Sequence, residues 1–229
     1  MNSRQDKILN FFHELYSKGL ASNIIQIKKN NTVICQKLMV SKNYLPKDFL
    51  KINKNWIPVW HGTKFEFLES IVKNGLRPSG SKLSDGKEIN PLPGHISLDV
   101  TVAGIKCWAK AIFVSPSLFY ASDVVYAERI VSNNKTWAVL VEGRLKPNTF
   151  TKYKSTVLNY NNIPGEPDQV EYRVEQNSDD ELIYRVSKEK NIVVTSIAFI
   201  LVNFLENVSD YGEGNIVINS DNEKMLLEP

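Results

Sequence analysis

Strand-like apolar segments dominate the second half of the chain, and they limit its fold more than any other feature of the sequence. Residues 137–145 alternate between apolar and polar side chains, and residues 192–202 form a long, mostly apolar run. Two shorter segments, 170–174 and 182–186, have the same character. Because few helical patterns follow residue 135, we expect an α+β fold whose core is antiparallel, split or two-sheeted, with helices on its flanks.

The length and composition fit a packed globular protein. The chain has 229 residues, of which 42% are hydrophobic, enough for one large domain with a terminal extension. Its 28 Lys and Arg against 25 Asp and Glu give a net charge of +3, which does not favour a nucleic-acid binder. The longest apolar run, 197–202, is too short for a helix that spans a membrane, so no membrane span is expected.

The N-terminus is charged and lacks the apolar core of a signal peptide. We therefore expect a cytoplasmic protein, or one delivered to a host cytoplasm as an effector without a cleaved Sec signal. Cys35 and Cys107 are isolated, which is typical of reduced or buried thiols. The three histidines, His13, His61 and His95, have no ligand spacing with one another or with the cysteines, so no metal is expected.

The first segment of the chain predicts an amphipathic helix over residues 3–19. Apolar side chains recur there at helical spacing. Ser3 is placed to cap its start and Gly19 to end it. This helix is expected to pack on the main domain without a chemical role.

Two strand-like runs, 23–27 and 32–39, are separated by Lys-Lys-Asn-Asn, which predicts a β-hairpin. Residues 40–55 are rich in lysine and asparagine and are interpreted as a connector. The predicted organisation is therefore an N-terminal helix and hairpin extension, residues 1–54, packed on a main domain, residues 55–229.

The most informative motif for function is Val-Trp-His-Gly-Thr at residues 59–63. It follows an apolar strand predicted at 57–60 and precedes a helix predicted at 64–73, which ends before Gly-Leu-Arg at 75–77. A histidine at the end of a strand, followed by glycine and a hydroxyl residue, can present an imidazole and a backbone amide pair to a nucleotide.

Two later regions complete the pattern. Residues 111–114 predict a strand and residues 117–130 a helix, and residues 170–174 are Val-Glu-Tyr-Arg-Val. Between the motifs, residues 78–100 are dense in Gly, Pro, Ser and Asp and predict a long loop, a type of segment that is often functional. His95 in this loop is a weaker functional candidate.

The motif region resembles the PARP-like, diphtheria-toxin-type ADP-ribosyltransferases. Residues 59–77 resemble the family's first NAD-binding segment, an aromatic-His-Gly-Ser/Thr pattern followed by a short helix and Gly-Leu-Arg. Residues 111–126 are similar to the second segment, and residues 170–174 to the third, a strand with Glu followed by an aromatic residue. The resemblance covers about residues 55–205. It implies an ADP-ribosyltransferase-like split antiparallel β-sheet core with flanking helices, and NAD as co-substrate.

The resemblance also implies three catalytic residues. Glu171 would orient the nicotinamide ribose and stabilise the oxocarbenium-like charge that develops when the nicotinamide–ribose bond breaks. His61 would bind the adenosine-side ribose through a neutral imidazole. Tyr126 would stack on the nicotinamide ring.

Further residues are implied to bind the dinucleotide. Gly62 would meet the nicotinamide amide through its backbone, because glycine permits close approach. Thr63 would add a hydroxyl contact. Arg77 would meet the adenosine end of NAD with its planar, multidentate guanidinium.

The second segment departs from the family pattern. Phe113 stands where family members usually carry tyrosine, and it cannot donate a hydrogen bond. Tyr120 is a candidate for the second aromatic place, and Ser122 is nearest to the family's pocket serine. The spacing from Phe113 to Tyr126 also exceeds the usual one, which predicts a reshaped pocket or a different subgroup.

The leading hypothesis is a mono-ADP-ribosyltransferase that cleaves NAD and modifies a protein side chain. Mono-transfer is favoured because no DNA-sensing or helical regulatory module precedes the domain. A transferase directed at RNA or another nucleic acid, similar to RNA 2′-phosphotransferases, stays open but is not favoured, because basic residues are not concentrated. Two further hypotheses are a catalytically inactive NAD- or ADP-ribose-binding module and an unrelated α+β domain in which the motif is coincidental.

Overall fold

The structure, a computed structural model, describes residues 6–47, 55–83, 86, 88–91, 95–102, 104–155, 169–175, 191–208 and 224–225. Within these ranges the protein is a mixed α+β fold of two antiparallel sheets with few helices, so the predicted α+β class is confirmed. The ADP-ribosyltransferase-like arrangement stays a prediction. The predicted strand at 182–186 and the predicted helix cap Ser3 lie outside the described residues. None of the helices within the described ranges combines the length and apolar character needed to span a bilayer.

The larger sheet has seven described strands in the order β10-β1-β2-β9-β6-β3, and β5 also pairs with β6. The smaller sheet has the order β4-β8-β7. The strands are β1 (Ala21–Lys29), β2 (Thr32–Val40), β3 (Ile57–Gly62), β4 (Ile112–Val114), β5 (Arg129–Ser132), β6 (Lys135–Leu145), β7 (Phe150–Tyr153), β8 (Glu171–Val174), β9 (Ile192–Leu201) and β10 (Lys224–Met225). The α-helices are α1 (Lys7–Ser17), α2 (Leu68–Asn74), α3 (Leu118–Ala121) and α4 (Val202–Val208), and 3-10 turns cover Lys42–Tyr44 and Phe65–Phe67.

The core lies on both faces of the central strands β6 and β9. Alternate side chains of a strand point to opposite faces. Val139 and Val141 therefore pack with α1 and α2, whereas Leu140 packs on the other face with α3. Burial on both faces explains why β9 is apolar almost throughout rather than alternating. Phe199 of β9 is fully buried, and truncating it to alanine is expected to cost about 3–5 kcal/mol.

The N-terminal helix is shorter than predicted and is capped by a different residue. Asp6 is the N-cap, and its carboxylate accepts hydrogen bonds of 3.1 Å from the backbone amides of Ile8 and Leu9. Gly19 follows the last turn with φ +68°, which glycine adopts without strain. The predicted stop at Gly19 is therefore confirmed, whereas the predicted start near residue 3 is corrected to Asp6.

The predicted β-hairpin is present. Asn30 and Asn31 take φ of +49° and +62° at its turn, a conformation that asparagine tolerates better than most residues. Strand β2 pairs with β9, so the hairpin belongs to the same sheet as the central strands. The proposed boundary after residue 54 stays a prediction.

The helix predicted over 117–130 is the main error in the secondary structure. It spans only Leu118–Ala121, and residues 129–132 form strand β5 instead. The helix ends because Asp123 closes a turn, with Oδ1 accepting from the Val125 amide at 2.8 Å and its carbonyl accepting from the Ala127 amide. Val125, in the middle of the predicted helix, is 47% exposed.

The two sheets meet at one described backbone pair. Trp60 of β3 donates to the Ser115 carbonyl at 2.7 Å, and the Ser115 amide donates back to Trp60 at 2.9 Å. This bridge brings the end of β3 beside the end of β4. The first two predicted motif segments meet at this bridge, and β8, which carries the third, pairs with β4.

Candidate functional site

Strand β3 extends two residues further than predicted, so His61 and Gly62 lie on the strand. Thr63 directs its amide to the Val139 carbonyl of β6 at 3.2 Å, whereas Trp60 bonds to Ser115 on the opposite edge. Backbone groups of a strand alternate between its two edges. The N–H and C=O of Gly62 therefore face the same edge as those of Trp60, next to the junction of the two sheets.

The imidazole of His61 has a defined tautomer. Its Nδ1 lies 2.8 Å from the Phe113 carbonyl, which can only accept, so Nδ1 carries the proton. Burial lowers the pKa of His61; the Phe113 hydrogen bond raises it, and the nearby His95 lowers it further. The net shift is downward, so the ring is neutral at pH 7 and its Nε2 is an acceptor for a ligand hydroxyl.

Gly62 is in close contact with the turn after α3. A Cβ at this position would lie 2.3 Å from the Ala121 carbonyl oxygen and 2.7 Å from the Cβ of Tyr126. The absence of a side chain is therefore required by the packing of the protein itself. A ligand contact of Gly62 would have to be made by its backbone.

Glu171 begins strand β8 and is 3% exposed. The hydroxyl of Tyr120 donates to its Oε2 at 2.7 Å, and the hydroxyl of Tyr126 lies 3.4 Å from the same oxygen. The two tyrosine hydroxyls are 2.7 Å apart. The structure thus brings together Tyr120, Tyr126 and Glu171, which the sequence analysis singled out from separate segments.

Strand β8 is anchored by residues that flank Glu171. Arg173 is buried, donates through Nε to the Trp108 carbonyl at 3.1 Å, and lies 5.2 Å above the Trp108 ring. Its guanidinium also pairs with Glu175. On the other side of β8, Tyr153 of β7 is in register with Glu171. The Trp108 contacts of Arg173 and the pairing with β7 hold the backbone from which the carboxylate projects.

Two predicted ligand residues have structural roles. Thr63 is buried, and its backbone is bonded to Val139 and to Glu128. The Ser122 hydroxyl donates to the Phe119 carbonyl at 2.9 Å, at the end of α3. The contacts of Thr63 and Ser122 with a dinucleotide stay predictions.

Arg77 follows α2, and its Nη1 donates a long hydrogen bond of 3.4 Å to the Lys82 carbonyl. The described contacts thus place it beside the start of the 78–100 loop. Phe113 packs its ring on Trp108 with centroids 5.7 Å apart, while its carbonyl holds His61. Phe113 therefore supplies no hydroxyl to the site, but its backbone carbonyl orients the imidazole.

The structure also identifies site residues that sequence reasoning missed. The hydroxyl of Ser155 is hydrogen-bonded to that of Tyr120, close to Glu171. No motif marks Ser155, because its position follows from the pairing of β7 with β8. His95, a weaker candidate, contacts the turn that carries Tyr126: its Nε2 donates to the Val125 carbonyl at 3.2 Å, and the His95 and Tyr126 rings are 6.1 Å apart.

Within the described ranges, no three His, Cys, Asp or Glu side chains are arranged to hold a metal ion. The site is instead a buried carboxylate, two tyrosines and a neutral imidazole around the junction of two sheets. Comparison with models of known protein families finds no match, and no curated protein matches the chain. The assignment to the mixed α+β class with antiparallel sheets therefore comes from the structure and not from a known relative.

Proposed function

We propose that this protein is a mono-ADP-ribosyltransferase, a PARP-like enzyme that cleaves NAD at the nicotinamide–ribose bond and transfers ADP-ribose to a protein side chain. The observation that supports it most strongly is the buried Glu171 carboxylate, which is hydrogen-bonded to Tyr120 at 2.7 Å and lies 3.4 Å from the Tyr126 hydroxyl. The close packing of Gly62 against Tyr126 links this cluster to the His-Gly strand end.

Cleavage of the nicotinamide–ribose bond and transfer of ADP-ribose require few protein side chains. The bond between ribose C1′ and the nicotinamide nitrogen breaks, and the electron pair leaves on nicotinamide. The nucleophile of the acceptor forms a bond to C1′, and its proton is released to solvent. Positive charge develops on the ribose between these events, and a buried carboxylate such as that of Glu171 stabilises it more strongly than an exposed one would.

Other residues of the site suit the remaining parts of NAD. Nε2 of His61 is an acceptor for a ribose hydroxyl, because Nδ1 donates to Phe113. The backbone amide and carbonyl of Gly62 match a carboxamide, which also carries one donor and one acceptor face. Tyr126 is half-buried, so it is partly accessible, as stacking on nicotinamide would require. Arg77 would hold the adenosine end.

A second candidate is a module that binds NAD or ADP-ribose without turning it over. It is favoured by Phe113, whose ring packs on Trp108 and which lacks the hydroxyl that the family usually supplies at this position. Both candidates predict dinucleotide binding, and only the transferase predicts a product.

The test is incubation of the protein with NAD labelled in its adenylate part, together with a protein extract or with RNA. The proposed function predicts label on protein, and no label with Glu171→Gln. Label on RNA but not on protein would show that the acceptor is a nucleic acid rather than a protein side chain. Measurable NAD binding with no labelled product would identify the inactive module, and neither binding nor product would exclude both.

A further inference from the structure

Tyr120 and Tyr126, the two tyrosines beside Glu171, differ in how much of each residue is exposed to solvent. Tyr120 is 3% exposed, whereas Tyr126 is half-buried. Their rings are 5.2 Å apart and tilted by 52°. A ring that is already covered on both faces by protein has no surface to offer a nicotinamide. Burial therefore distinguishes the two tyrosines, because only Tyr126 keeps accessible surface.

The hydroxyl of Tyr120 is committed to the carboxylate. Its single proton is donated to Oε2 of Glu171 at 2.7 Å. In the 2.7 Å contact between the two tyrosines, Tyr126 is then the donor and Tyr120 the acceptor. Ser155 provides a further hydrogen bond to the Tyr120 hydroxyl. The result is a directed chain of hydrogen bonds that ends on Glu171.

The donor state of Tyr120 is stable over a wide pH range. Burial raises the pKa of Tyr120, and the negative charge of Glu171 raises it further, against smaller opposite effects of Tyr126 and Ser155. The Tyr120 phenol therefore stays protonated at neutral pH and below. A permanent donor on Oε2 favours the ionised form of the carboxylate and fixes its rotamer.

Tyr120 is itself held by a rigid frame. Its amide donates to the hydroxyl of Ser117, the N-cap of α3, at 3.3 Å. The neighbouring residues Leu118 and Ala121 are buried in the core, and the Tyr120 ring packs on Val170, just before Glu171. The phenol therefore has little freedom to move away from the carboxylate.

We propose that Tyr120 is the positioning residue of Glu171, and that Tyr126 alone provides the stacking surface for nicotinamide. This inference rests on the proposed function. It assigns the two tyrosines to different steps: Tyr120 acts on the orientation and charge of the catalytic carboxylate, and Tyr126 acts on binding of NAD.

The test compares Tyr120→Phe, which removes only the hydroxyl, with Tyr126→Leu, which removes the stacking ring. Tyr120→Phe is expected to lower kcat about 10- to 100-fold with the KM for NAD within about twofold, as expected when a hydrogen bond to a charged group is lost. The acidic limb of its pH profile is expected to move upward, because the ionised carboxylate has lost a donor. Tyr126→Leu is expected to raise the KM for NAD about tenfold.

The outcomes separate the two proposals. A parent protein that releases no nicotinamide from NAD would overturn the proposed function and, with it, a catalytic role for Tyr120. An active parent with Tyr120→Phe unchanged in kcat and pH profile would overturn the positioning role alone. A raised KM for NAD in Tyr120→Phe would instead assign Tyr120 to binding.

A readout independent of turnover is the NMR titration of the Glu171 side-chain carboxyl carbon. Its midpoint is expected at higher pH in Tyr120→Phe than in the parent, and an equal midpoint would contradict the hydrogen bond. The melting temperature of each variant shows whether it is folded. Should Tyr120→Phe not fold, Tyr126→Phe, which removes the next donor in the chain, is expected to move the same midpoint in the same direction by less.

Discussion

Gly62 and Tyr126 are in closer contact than any side chain at residue 62 would allow. A Cβ at Gly62 would lie 2.7 Å from the Tyr126 Cβ, and 2.3 Å from the Ala121 carbonyl oxygen. Because one of these atoms is backbone, the clash cannot be relieved by a rotamer change. The strand that carries His61 and the turn that carries Tyr126 are therefore locked together at this glycine.

Gly62→Ala is expected to destabilise the protein by about 3 kcal/mol, the upper end of the range for overpacked sites. The midpoint of urea unfolding measures the loss. Gly143→Ala is the matched control, since its Cβ would lie 3.0 Å from the Val193 carbonyl oxygen and needs only a small shift. Equal losses for the two variants would contradict the lock between Gly62 and Tyr126.

His61 is expected to titrate below its ordinary pKa of 6.5, because burial disfavours the imidazolium more than the Phe113 carbonyl favours it. The unfolded chain then binds a proton more readily than the folded one. Stability is full above about pH 6.5 and falls as the pH drops from there to the lowered pKa of the folded state.

The imidazole nitrogen and proton shifts of His61, followed by NMR against pH, measure this prediction. The neutral ring is expected in the tautomer with the proton on Nδ1, donated to Phe113. In His61→Gln the stability should fall less between pH 7 and pH 5 than in the parent. A midpoint at or above 6.5, or a proton on Nε2, would contradict the assigned geometry.

A second buried charge cluster lies on the larger sheet. Glu142 of β6 accepts from Lys37 at 3.0 Å, from Arg144 at 3.0 Å and from the Ser196 hydroxyl at 2.9 Å. Burial alone would raise the pKa of Glu142, but Lys37, Arg144 and the hydrogen bonds together lower it. The stability it contributes is present above the ordinary pKa of 4.5 and is lost as the pH falls through the lowered value.

Lys37→Met is expected to destabilise the protein by about 3–5 kcal/mol at pH 7, because it leaves a buried carboxylate short of a partner. Urea unfolding of the parent and of Lys37→Met measures this loss of stability. Lys18→Met is the control, since Lys18 pairs with Glu14 and Glu69 at the surface and its loss should change little. A Lys37→Met protein as stable as the parent would mean that the cluster contributes nothing.

The two cysteines are expected to differ in reactivity. Both are free thiols, but Cys35 is buried, and burial raises its pKa to about 12, whereas Cys107 is only half-buried. Alkylation of the native protein at pH 8, followed by mass spectrometry, should label Cys107 and spare Cys35. Rapid labelling of Cys35 in the folded protein would contradict its place in the core.

Local patterns predicted much of the fold. The Asn-Asn turn between β1 and β2 and the apolar run of β9 each depend on neighbours in sequence, and each is present in the structure. The strand predicted at residues 137–145 lies within β6, but its residues 137–143 are all buried, so the predicted alternation was wrong. The helix predicted as far as Ile130 was wrong because Asp123 forms a turn that ends the helix early. That turn depends on a side-chain hydrogen bond, which the spacing of apolar residues does not reveal.

The candidate site was only partly predictable. Its residue types were marked by the motifs, but the contact of Tyr120 with Glu171 joins residues 51 positions apart and depends on the pairing of β4 with β8. The same holds for Ser155, which no pattern marks. The different burial of Tyr120 and Tyr126 is likewise a property of the packed structure, so their roles could not be separated from sequence.

The most direct measurement is the release of nicotinamide from NAD by the parent protein, Glu171→Gln and Glu175→Gln. Glu175 is exposed, and its partner Arg173 is also held by the hydrogen bond to the Trp108 carbonyl, so Glu175→Gln serves as the matched control. We predict release by the parent and by Glu175→Gln, and a loss of about 100- to 1000-fold in Glu171→Gln, as expected when a group that stabilises transition-state charge is removed. Equal release by Glu171→Gln and the parent would contradict the assignment of the buried carboxylate, and no release by any of the three would contradict the enzyme itself.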